Sequence, residues 1–591
     1  MTPPQGVTEV PLYAKNSREE EAELALKRTR VTPAMAWVLV VAFIVTLFSE
    51  PILQALFEPP HAATPGAETS AKNEPSGLQD RRVMFEVFNL LPSYERADRI
   101  ARERGTEFDP FWRTWYSMAT VKEITGFEKK IEETSIIGQA LLPPSHEFMS
   151  RFLGVGNEQA YLGRDGWLFY RPEVDYLMGP GFLDPKAMQA RAHSGDASTL
   201  AVQPNPVPAI VRLHQQLAAR GIRLIVLPAP LKPSLEPHRL TSRYSIADTP
   251  VQNPSYNQWL REMADAGVTV ADFSDELAEV ERATGEPQFL RTDTHWTPEA
   301  MERVTARLAE FIRKSHLLPD TPAAGYRRQA IRVSGTGDIA EMLKLPKDQT
   351  LYPPQEITVQ RVLSADGEPW KRNRQADVLV LGDSFCNVYS MKEMNWGDAA
   401  GFCEQLSYHL QRPLDKIALN AGGSYSSRQQ LAKDMLAEDR LAGKRLVIYE
   451  FAMRDLAAGD WKLIDLPEAP KTGTTPPVRP PVAKGELVVE GRIKAIATTP
   501  KPATVAYADC VIALQLVDAK VLGGTSEKRE FAVYIMGMRN HQWTAAASLA
   551  AGQTVRLRLV LWSTVEDQYD GLNRVDLSEL AEETDYYWAQ P

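Results

Sequence analysis

The chain has 591 residues, 44% of them hydrophobic, and a formal net charge of −10 at pH 7. This length predicts several folded units with ample apolar residues for their cores. Nucleic-acid binding is disfavoured, because phosphate binding requires clustered Lys and Arg, and the presumed folded region has no dominant basic block. Three cysteines make no disulfide framework, although pairing of Cys386 with Cys403 stays open. No cysteine or histidine cluster has metal-ligand spacing, so neither a metal nor another cofactor is predicted.

An apolar segment near the N-terminus predicts a membrane anchor. It follows a polar segment, residues 1–30, and is uncharged over the nineteen residues from Val31 to Ser49, with apolar residues continuing to Phe57. This is about the length of a helix that crosses a bilayer. Basic residues in the preceding segment predict that residues 1–30 form a cytoplasmic tail. We therefore expect a single-pass anchor over residues 31–57 in a bacterial inner membrane, with the remainder in the periplasm.

A cleaved signal peptide is the competing interpretation of this segment. It is less favoured, because the polar leader is long and no small-residue cleavage site follows convincingly.

Between the anchor and the first regular domain, the sequence predicts a linker, a stalk and a hairpin. Residues 58–79 are rich in Pro, Ala, Gly, Glu and Ser and are interpreted as a linker. Residues 80–150 carry helical periodicity, which indicates a helical stalk. Tyr161–Tyr170 predicts a hairpin, because Asp165-Gly166 suits a turn that requires positive φ.

From about residue 205, apolar strands alternate with amphipathic helices. The predicted strands are Gly221–Pro228, Val268–Phe273, Ala376–Leu381, Lys416–Asn420 and Arg445–Phe451. The predicted helices are Val207–Arg220, a segment from Pro298 to about Lys314, Glu404–Gln411 and about Ser427–Asp439. Residues 316–374 are interpreted as irregular. The alternation predicts that residues 151–466 form an α/β domain with a parallel sheet and helices on both faces.

The C-terminal part of the chain changes to a strand period. Residues 467–484 form a Pro-rich linker, and residues 485–591 predict a small all-β module, either an OB-like barrel or a sandwich. Its predicted strands are Leu487–Ile493, Cys510–Val517, Glu530–Ile535 and Val555–Trp562.

The stretch Ala376–Asn387, ADVLVLGDSFCN, presents one serine at the carboxyl end of a predicted buried strand. Open α/β sheets bind their ligands at this edge. A serine hydroxyl needs a base, and the candidate is His295, two residues after Asp293 in a loop upstream of the serine. His295 would take the proton of Ser384, while Asp293 would orient the imidazole. The sequence therefore predicts a Ser384–His295–Asp293 site for acyl transfer.

Each half of this site also has a structural interpretation. A serine after an aspartate often caps a helix, and an Asp-x-His pair is often hydrogen-bonded within a loop. Their joint position at strand ends favours the catalytic interpretation.

Further side chains and backbone groups near these strand ends are candidates for the same site. The backbone N–H of Ser384 and that of Gly422 or Gly423 are candidate oxyanion donors, with the Asn420 amide as a third. Glu450 and Arg454 follow the last predicted strand, and they form either a structural ion pair or a border of the acceptor site. Lys232 is interpreted as a charge on the rim.

The motifs together resemble a known family. Gly382-Asp383-Ser384 resembles the first block of SGNH hydrolases. With the Asp-x-His pair upstream of the serine, the GxDGWLFY-like hairpin and the Gly-Gly loop, residues 125–460 are similar to the AlgJ/AlgX family of alginate O-acetyltransferases. Ordinary SGNH esterases carry a D-x-x-H pair after the serine, so the order here favours the acetyltransferase branch.

The resemblance implies an SGNH-like (flavodoxin-like) fold and catalytic roles for Asp293, His295 and Ser384. It implies O-acetylation of an exported polysaccharide, with a membrane-bound O-acyltransferase as the acetyl source. Alginate itself is not implied, because the module at residues 485–591 is unlike the carbohydrate-binding domain of AlgX. Two alternatives remain: an acetyl-polysaccharide esterase with the same triad, and a non-catalytic scaffold of a polysaccharide export complex.

Overall fold

A computed structural model describes residues 37–41, 136–192, 202–420, 422–437, 439–467, 486–500, 509–539, 542–569, 572–577 and 586–590. The predicted tail and both linkers, with nearly all of the anchor and most of the stalk, lie outside these residues. In the described part of the chain, no helix is long and apolar enough to cross a membrane. The chain divides into two compact units, and the one from Pro143 onward holds nearly all the described residues.

Five parallel strands form the central sheet, in the order β4-β3-β9-β7-β8. Their bounds are β3 Arg223–Ala229, β4 Thr269–Val270, β7 Val378–Gly382, β8 Asp415–Ala418 and β9 Leu446–Ala452. Every residue of β7 and β9 is buried, as expected for strands covered on both faces. The prediction of an α/β fold with a parallel sheet is confirmed, although β4 is shorter than its predicted strand.

Fourteen α-helices lie between Ile136 and Ala458 in the described part of the chain. They are α1 Ile136–Phe148, α2 Arg171–Met178, α3 Pro185–Ala192, α4 Pro206–Ala218, α5 Lys232–Leu235, α6 Pro237–Leu240, α7 Tyr256–Asp265, α8 Ser274–Thr284, α9 Pro298–Lys314, α10 Asp338–Met342, α11 Ser384–Asn387, α12 Phe402–Leu410, α13 Ser426–Ala437 and α14 Asp455–Ala458. Alternate residues of β3, β7 and β9 pack into two separate cores. Helices α9 and α12 contribute to one core, and α4, α7 and α13 contribute to the other.

The start of helix α9 follows directly from the local sequence, and this helix follows the loop that carries Asp293 and His295. The Thr297 side chain accepts a hydrogen bond from the Ala300 N–H, and Pro298 occupies the first turn. Both choices stabilise a helix start, because they satisfy or remove N–H groups that lack helical partners. The buried residues Val304 and Leu308 lie one turn apart and face the sheet.

Two antiparallel pairs stand outside the central sheet. The predicted hairpin is confirmed as β1 Ala160–Leu162 and β2 Leu168–Tyr170, with positive φ at Asp165 and Gly166. The prediction that residues 316–374 are irregular is wrong, because β5 Arg327–Gly335 pairs with β6 Gln355–Leu363. These two strands bury few of their side chains, so their sequences lack the apolar signal of the core strands.

Five of the C-terminal strands pair in a closed cycle, in which the last strand pairs with the first. The C-terminal strands are β10 Leu487–Ile496, β11 Cys510–Gly523, β12 Phe531–Arg539, β13 Gln542–Trp543, β14 Thr554–Leu561, β15 Asn573–Val575 and β16 Tyr586–Gln590, with a short helix α15 Glu566–Tyr569. Pairing runs β10-β11-β12-β16-β14 and back to β10, with only β12 and β16 parallel within this cycle. We call residues 486–590 the C-terminal barrel.

Leu308→Ala is expected to lower the free energy of unfolding by about 2–5 kcal/mol, because it leaves a cavity in the core beside the sheet. Leu308 is fully buried, whereas Phe311 on the same helix is 39% exposed. Phe311→Ala is therefore the matched control and is expected to cost less. Urea unfolding followed by tryptophan fluorescence measures both, and equal losses would contradict this assignment of the buried helix face.

Candidate active site

Ser384 lies at the carboxyl end of β7, where the sequence predicted it. Asp383 precedes α11 and caps it, because its Oδ1 accepts a hydrogen bond from the Phe385 N–H at 2.8 Å. The Asp383 Oδ2 accepts from the Ala452 N–H at the end of β9, also at 2.8 Å. The turn that carries Ser384 is thereby fixed to two neighbouring strands, and Ser384 is 8% exposed.

Asp293 and His295 form a buried hydrogen-bonded pair. His295 Nδ1 lies 2.7 Å from Asp293 Oδ1, which also accepts from the His295 backbone N–H at 2.9 Å. The other carboxylate oxygen, Oδ2, accepts from the Trp396 indole N–H at 2.8 Å and from the Asp338 backbone N–H at 3.0 Å. Four N–H groups therefore hold this carboxylate, and the carboxylate in turn fixes the imidazole ring.

The pKa values of Asp293 and His295 are shifted in opposite directions, which suits a histidine that acts as a general base. Burial by itself would raise the pKa of Asp293, but the charge and hydrogen bonds of His295 and the Trp396 N–H outweigh it and lower that pKa to about 2. Burial also disfavours the imidazolium of His295, yet the Asp293 carboxylate raises the pKa of His295 above 6.5. The imidazole is thus a stronger base than a free histidine, at a position almost without water.

Asp338 is a second carboxylate beside this pair that sequence reasoning missed. Its Oδ1 accepts from the Thr294 N–H at 2.7 Å, its Oδ2 accepts from the Thr294 hydroxyl, and Oδ2 lies 3.9 Å from His295 Nδ1. Burial, and then the charge of Asp293, raises the pKa of Asp338 to about 6. Gly337, directly before Asp338, has a φ of +86°, and a Cβ there would lie 2.4 Å from the Thr292 carbonyl oxygen, so only glycine fits this close approach to the histidine loop.

The imidazole faces the serine turn without being bonded to it. The rings of His295 and Phe385 lie 4.9 Å apart, and Phe385 directly follows Ser384. His295 Nε2 is buried and has no hydrogen-bond partner, and among the described residues no hydrogen bond joins it to the Ser384 hydroxyl. Such bonds are often long or misaligned without substrate. The structure brings the three residues to one region, and the triad stays a prediction.

The candidate oxyanion donors differ in whether they are free to donate. The Gly422 N–H donates to the Leu419 carbonyl at 2.8 Å, so the prediction that it serves an oxyanion is corrected. The Asn420 Oδ1 accepts from Asn387 Nδ2 at 2.9 Å, and its own Nδ2 faces the sulfur of Met394 at 3.7 Å. The Asn420 amide is therefore engaged within the loop.

The backbone N–H groups of Gly423 and Ser384 are the two remaining candidate oxyanion donors. A Cβ on Gly423 would lie 2.9 Å from Asp383 Oδ2 and 2.7 Å from Phe451 Cβ, so the backbone here approaches the serine turn closely. In the described part of the chain, neither the Gly423 N–H nor the Ser384 N–H has a hydrogen-bond partner. Only a residue without a side chain fits this approach, which explains the second glycine of the Gly-Gly loop.

The predicted pairing of Glu450 with Arg454 is wrong. Glu450 is completely buried, and its Oε2 accepts from the Asp383 N–H at 3.0 Å and the Cys386 thiol at 3.1 Å. Burial, and then nearby Asp383, raises the pKa of Glu450 well above its usual value. Glu450 therefore supports the serine turn from within the protein, and it is not at a substrate surface. Cys386 and Cys403 are both free thiols in this structure.

Arg454 borders the site and pairs with a different carboxylate. Its guanidinium lies 2.9 Å from Glu173 and over the rings of Tyr170 and Phe385, at 5.5 and 5.8 Å from their centres. Burial raises the pKa of Glu173 to about 7 despite the opposing charge of Arg454. The hairpin and α2 thus contribute to the same edge of the site as Arg454.

The interpretation of Lys232 as a rim charge is also wrong. The side chain is fully buried, and Nζ donates to the Leu168 carbonyl at 2.8 Å. Burial lowers the pKa of Lys232 to about 8. The amine ties α5 to the predicted hairpin, which explains a lysine that is not solvated.

Asp293, His295 and Asp338 also have the composition of a cation site, since one donor atom from each lies within 4.8 Å of the others. Both oxygens of each carboxylate, and the Nδ1 of His295, already have hydrogen-bonding partners in the protein. This donor set is therefore occupied by protein N–H and O–H groups, which fits a hydrogen-bonded acid–base pair better than metal ligation.

The parallel sheet, the serine turn after Gly382 and the buried Asp-x-His loop define an SGNH hydrolase-like domain. A family model described as "ALGX: SGNH hydrolase-like domain, acetyltransferase AlgX" matches residues 160–453. These residues match the family of SGNH hydrolase-like acetyltransferase domains represented by AlgX, and the predicted resemblance is confirmed.

Individual relatives are also similar to this chain. The probable alginate O-acetylase AlgJ of Pseudomonas aeruginosa is 28% identical over 233 residues, which are 39% of this chain and 53% of that protein. The alginate biosynthesis protein AlgX of Pseudomonas putida is 24% identical over 251 residues, or 41% of this chain and 49% of that protein. The chain thus spans about half the length of these relatives.

A solved structure, the O-acetyltransferase domain of Pseudomonas putida AlgJ, is 23% identical and covers 50% of this chain and 92% of its own, with a TM-score of 0.38.

Asp293→Asn is expected to lower the pKa of His295, because the carboxylate that most stabilises the imidazolium is lost while the burial that destabilises it remains. NMR titration of the histidine resonances measures this shift, with His295→Gln to assign the signal. Asp248→Asn removes an exposed carboxylate elsewhere and serves as the control. An unchanged His295 titration in Asp293→Asn would contradict the assigned pair.

Proposed function

We propose that this protein is an O-acetyltransferase that moves an acetyl group through Ser384 to hydroxyls of an exported polysaccharide. The observation that carries the proposal is the Asp293–His295 pair, whose unpartnered Nε2 is buried beside the serine turn of an AlgX-family domain. The curated relatives are named for alginate O-acetylation and alginate biosynthesis, which supports acetyl as the acyl group and a polysaccharide as acceptor.

In the first half-reaction, the Ser384 oxygen attacks the carbonyl carbon of an acetyl donor. His295 Nε2 takes the hydroxyl proton as the new C–O bond forms, and Asp293 stabilises the resulting imidazolium. The tetrahedral intermediate then collapses, the bond to the leaving group breaks, and His295 returns the proton to that group. Ser384 is left as an acetyl ester and His295 is again neutral.

The negative oxygen of the tetrahedral intermediate requires fixed donors. The N–H groups of Ser384 and Gly423 are the two we assign, because both are unpartnered and lie at the serine turn. Losing one such donor typically costs about 3–4 kcal/mol of barrier. The Gly423 N–H is a backbone group, so its contribution depends on the loop geometry and not on a side chain.

In the second half-reaction, a sugar hydroxyl attacks the acetyl-serine. His295 takes the proton of that hydroxyl and returns it to the Ser384 oxygen, which regenerates the free enzyme and yields the acetylated sugar. Arg454 and Tyr170 lie beside Phe385 and are placed to border the acceptor. With water in place of the sugar the same steps give an esterase, which is the alternative function.

Location and partners belong to the same proposal. The apolar segment at residues 31–57 would anchor the chain in the inner membrane, with the acetyltransferase domain in the periplasm. A membrane-bound O-acyltransferase would supply the acetyl group. Tethering both proteins to one membrane raises their effective concentration for each other.

We infer that the C-terminal barrel is OB-like. Its five strands close in the order β10-β11-β12-β16-β14 with one parallel pair, which supports a small closed Greek-key barrel over a sandwich. The third candidate function, a non-catalytic scaffold, would rely on this barrel and would not need Ser384.

Incubation of the protein with p-nitrophenyl acetate is expected to add one acetyl group that intact-mass analysis detects. Ser384→Ala should abolish this adduct, because the attacking oxygen is lost. Ser390→Ala is the matched control, since this nearby serine donates to Glu404 and has no proposed role. An adduct that persists in Ser384→Ala would refute the assigned nucleophile.

Transfer and hydrolysis separate when an oligosaccharide acceptor is added to the acetylated enzyme. A transferase loses its acetyl group faster as the acceptor concentration rises, whereas an esterase loses it at a constant rate. Full polymer acetylation in cells that carry Ser384→Ala would favour the scaffold.

A further inference from the structure

The C-terminal barrel contacts three segments that also flank the proposed catalytic site. The first contact is an ion pair between Lys433 on α13 and Asp576, with Nζ and Oδ2 2.7 Å apart. Both side chains are largely buried, at 25% and 16% exposed, so solvent screens the pair less than it screens a surface pair. The barrel therefore holds a defined point on the helix that follows the Gly-Gly loop.

Asp576 is itself held in place within the barrel. Its Oδ1 accepts from the Tyr534 hydroxyl at 2.9 Å, and Tyr534 stacks on Tyr586 with ring centres 4.4 Å apart. Burial would raise the pKa of Asp576, but Lys433 and then Arg574 outweigh it and lower that pKa. The carboxylate is thus charged, oriented and backed by packed aromatic rings.

Helix α13 links this ion pair to the candidate oxyanion donor. The Ser427 N–H donates to the Gly422 carbonyl at 3.0 Å, and the Ser427 hydroxyl lies 3.4 Å from the Gly423 carbonyl. Ser427 and Lys433 are on the same helix, less than two turns apart. A shift of α13 along its axis would therefore move the Gly423 N–H relative to Ser384.

The second contact lies just before the serine strand. Glu566 of α15 is 3.6 Å from Arg372 and 3.6 Å from Arg374, a few residues before β7 begins at Val378. This contact lies at the approach to β7, the strand that precedes the serine turn.

The third contact lies just after the serine turn. Met391 packs against a buried cluster of the barrel that includes Trp562 and Trp588. The Met391 N–H donates to Asn387 at the end of α11, at 3.2 Å. The barrel thus contacts the segment before β7, the segment after α11 and helix α13, which follows the Gly-Gly loop.

We propose that the C-terminal barrel positions the oxyanion donors of the acetyltransferase domain, with Lys433 and Asp576 as positioning residues. This inference rests on the proposed acetyl transfer through Ser384. Neither residue touches the acetyl group, and both act through α13 on the geometry of the Gly423 N–H. A small misplacement is sufficient for a large effect, because groups that stabilise a transition state must lie within a fraction of an ångström.

The test is the pre-steady-state burst of p-nitrophenolate from the full chain, purified in mild detergent and saturated with p-nitrophenyl acetate. Lys433→Met is expected to slow the burst about three- to thirty-fold, the range of coupling through packed networks. The ester concentration at half-saturation and the acid limb of the pH profile should stay unchanged, since neither the ester site nor His295 is altered. Lys433→Arg keeps the charge and is expected to restore most of the rate.

Arg492→Met is the matched control, because it breaks an exposed ion pair with Asp518 whose two residues both belong to the barrel. It should leave the burst within twofold of the wild-type rate. If Lys433→Met does not fold by circular dichroism, Glu566→Gln tests the second contact with the same readout and the same expected direction.

Three outcomes would overturn the inference. A normal burst in Lys433→Met and Glu566→Gln would show that the contacts do not position the site. An equal loss in Arg492→Met would show a general effect on stability. A change only in half-saturation would assign the barrel to ligand binding. Absence of any Ser384-dependent burst in the wild-type chain would instead refute the proposed function, which keeps the two failures distinct.

Discussion

The carboxylate of Asp293 is the interaction on which the candidate site depends. It accepts four N–H bonds, from the backbone and ring of His295, from Trp396 and from the backbone of Asp338. These donors come from three separate stretches of chain, so one buried anion joins the histidine loop, α10 and the segment after the serine turn. A buried carboxylate without such donors would be protonated, and the imidazole would then lose both its orientation and its basicity.

Much of the fold follows from local patterns that need no long-range information. The strands of the central sheet are nearly continuous apolar runs, and the start of α9 carries both a capping Thr297 and Pro298 in its first turn. The turn at Asp165-Gly166 requires positive φ, which its residues permit. Each of these signals lies within a few residues, so the sequence alone was enough to predict the corresponding elements.

What the sequence could not predict was how charged groups are paired across the fold. Glu450 and Arg454 are four residues apart. Glu450 accepts a hydrogen bond from the Asp383 N–H in the serine turn, whereas Arg454 pairs with Glu173, which is 281 residues away. The buried Lys232 donates a hydrogen bond to the Leu168 carbonyl, a contact that no sequence periodicity reveals. Asp338 escaped notice for the same reason, since its partner Thr294 is 44 residues distant. Pairing partners of this kind are set by tertiary topology, which local patterns do not encode.

The position of β9 has a consequence for when the site can form. This strand is the last of the sheet in sequence but lies between β3 and β7, and its Ala452 N–H holds the carboxylate that caps the serine turn. A partly synthesised chain that ends before residue 446 therefore has a gap at the centre of its sheet and an Asp383 without its second donor. The serine turn is therefore complete only after the strand at residues 446–452 has been synthesised and has entered the sheet.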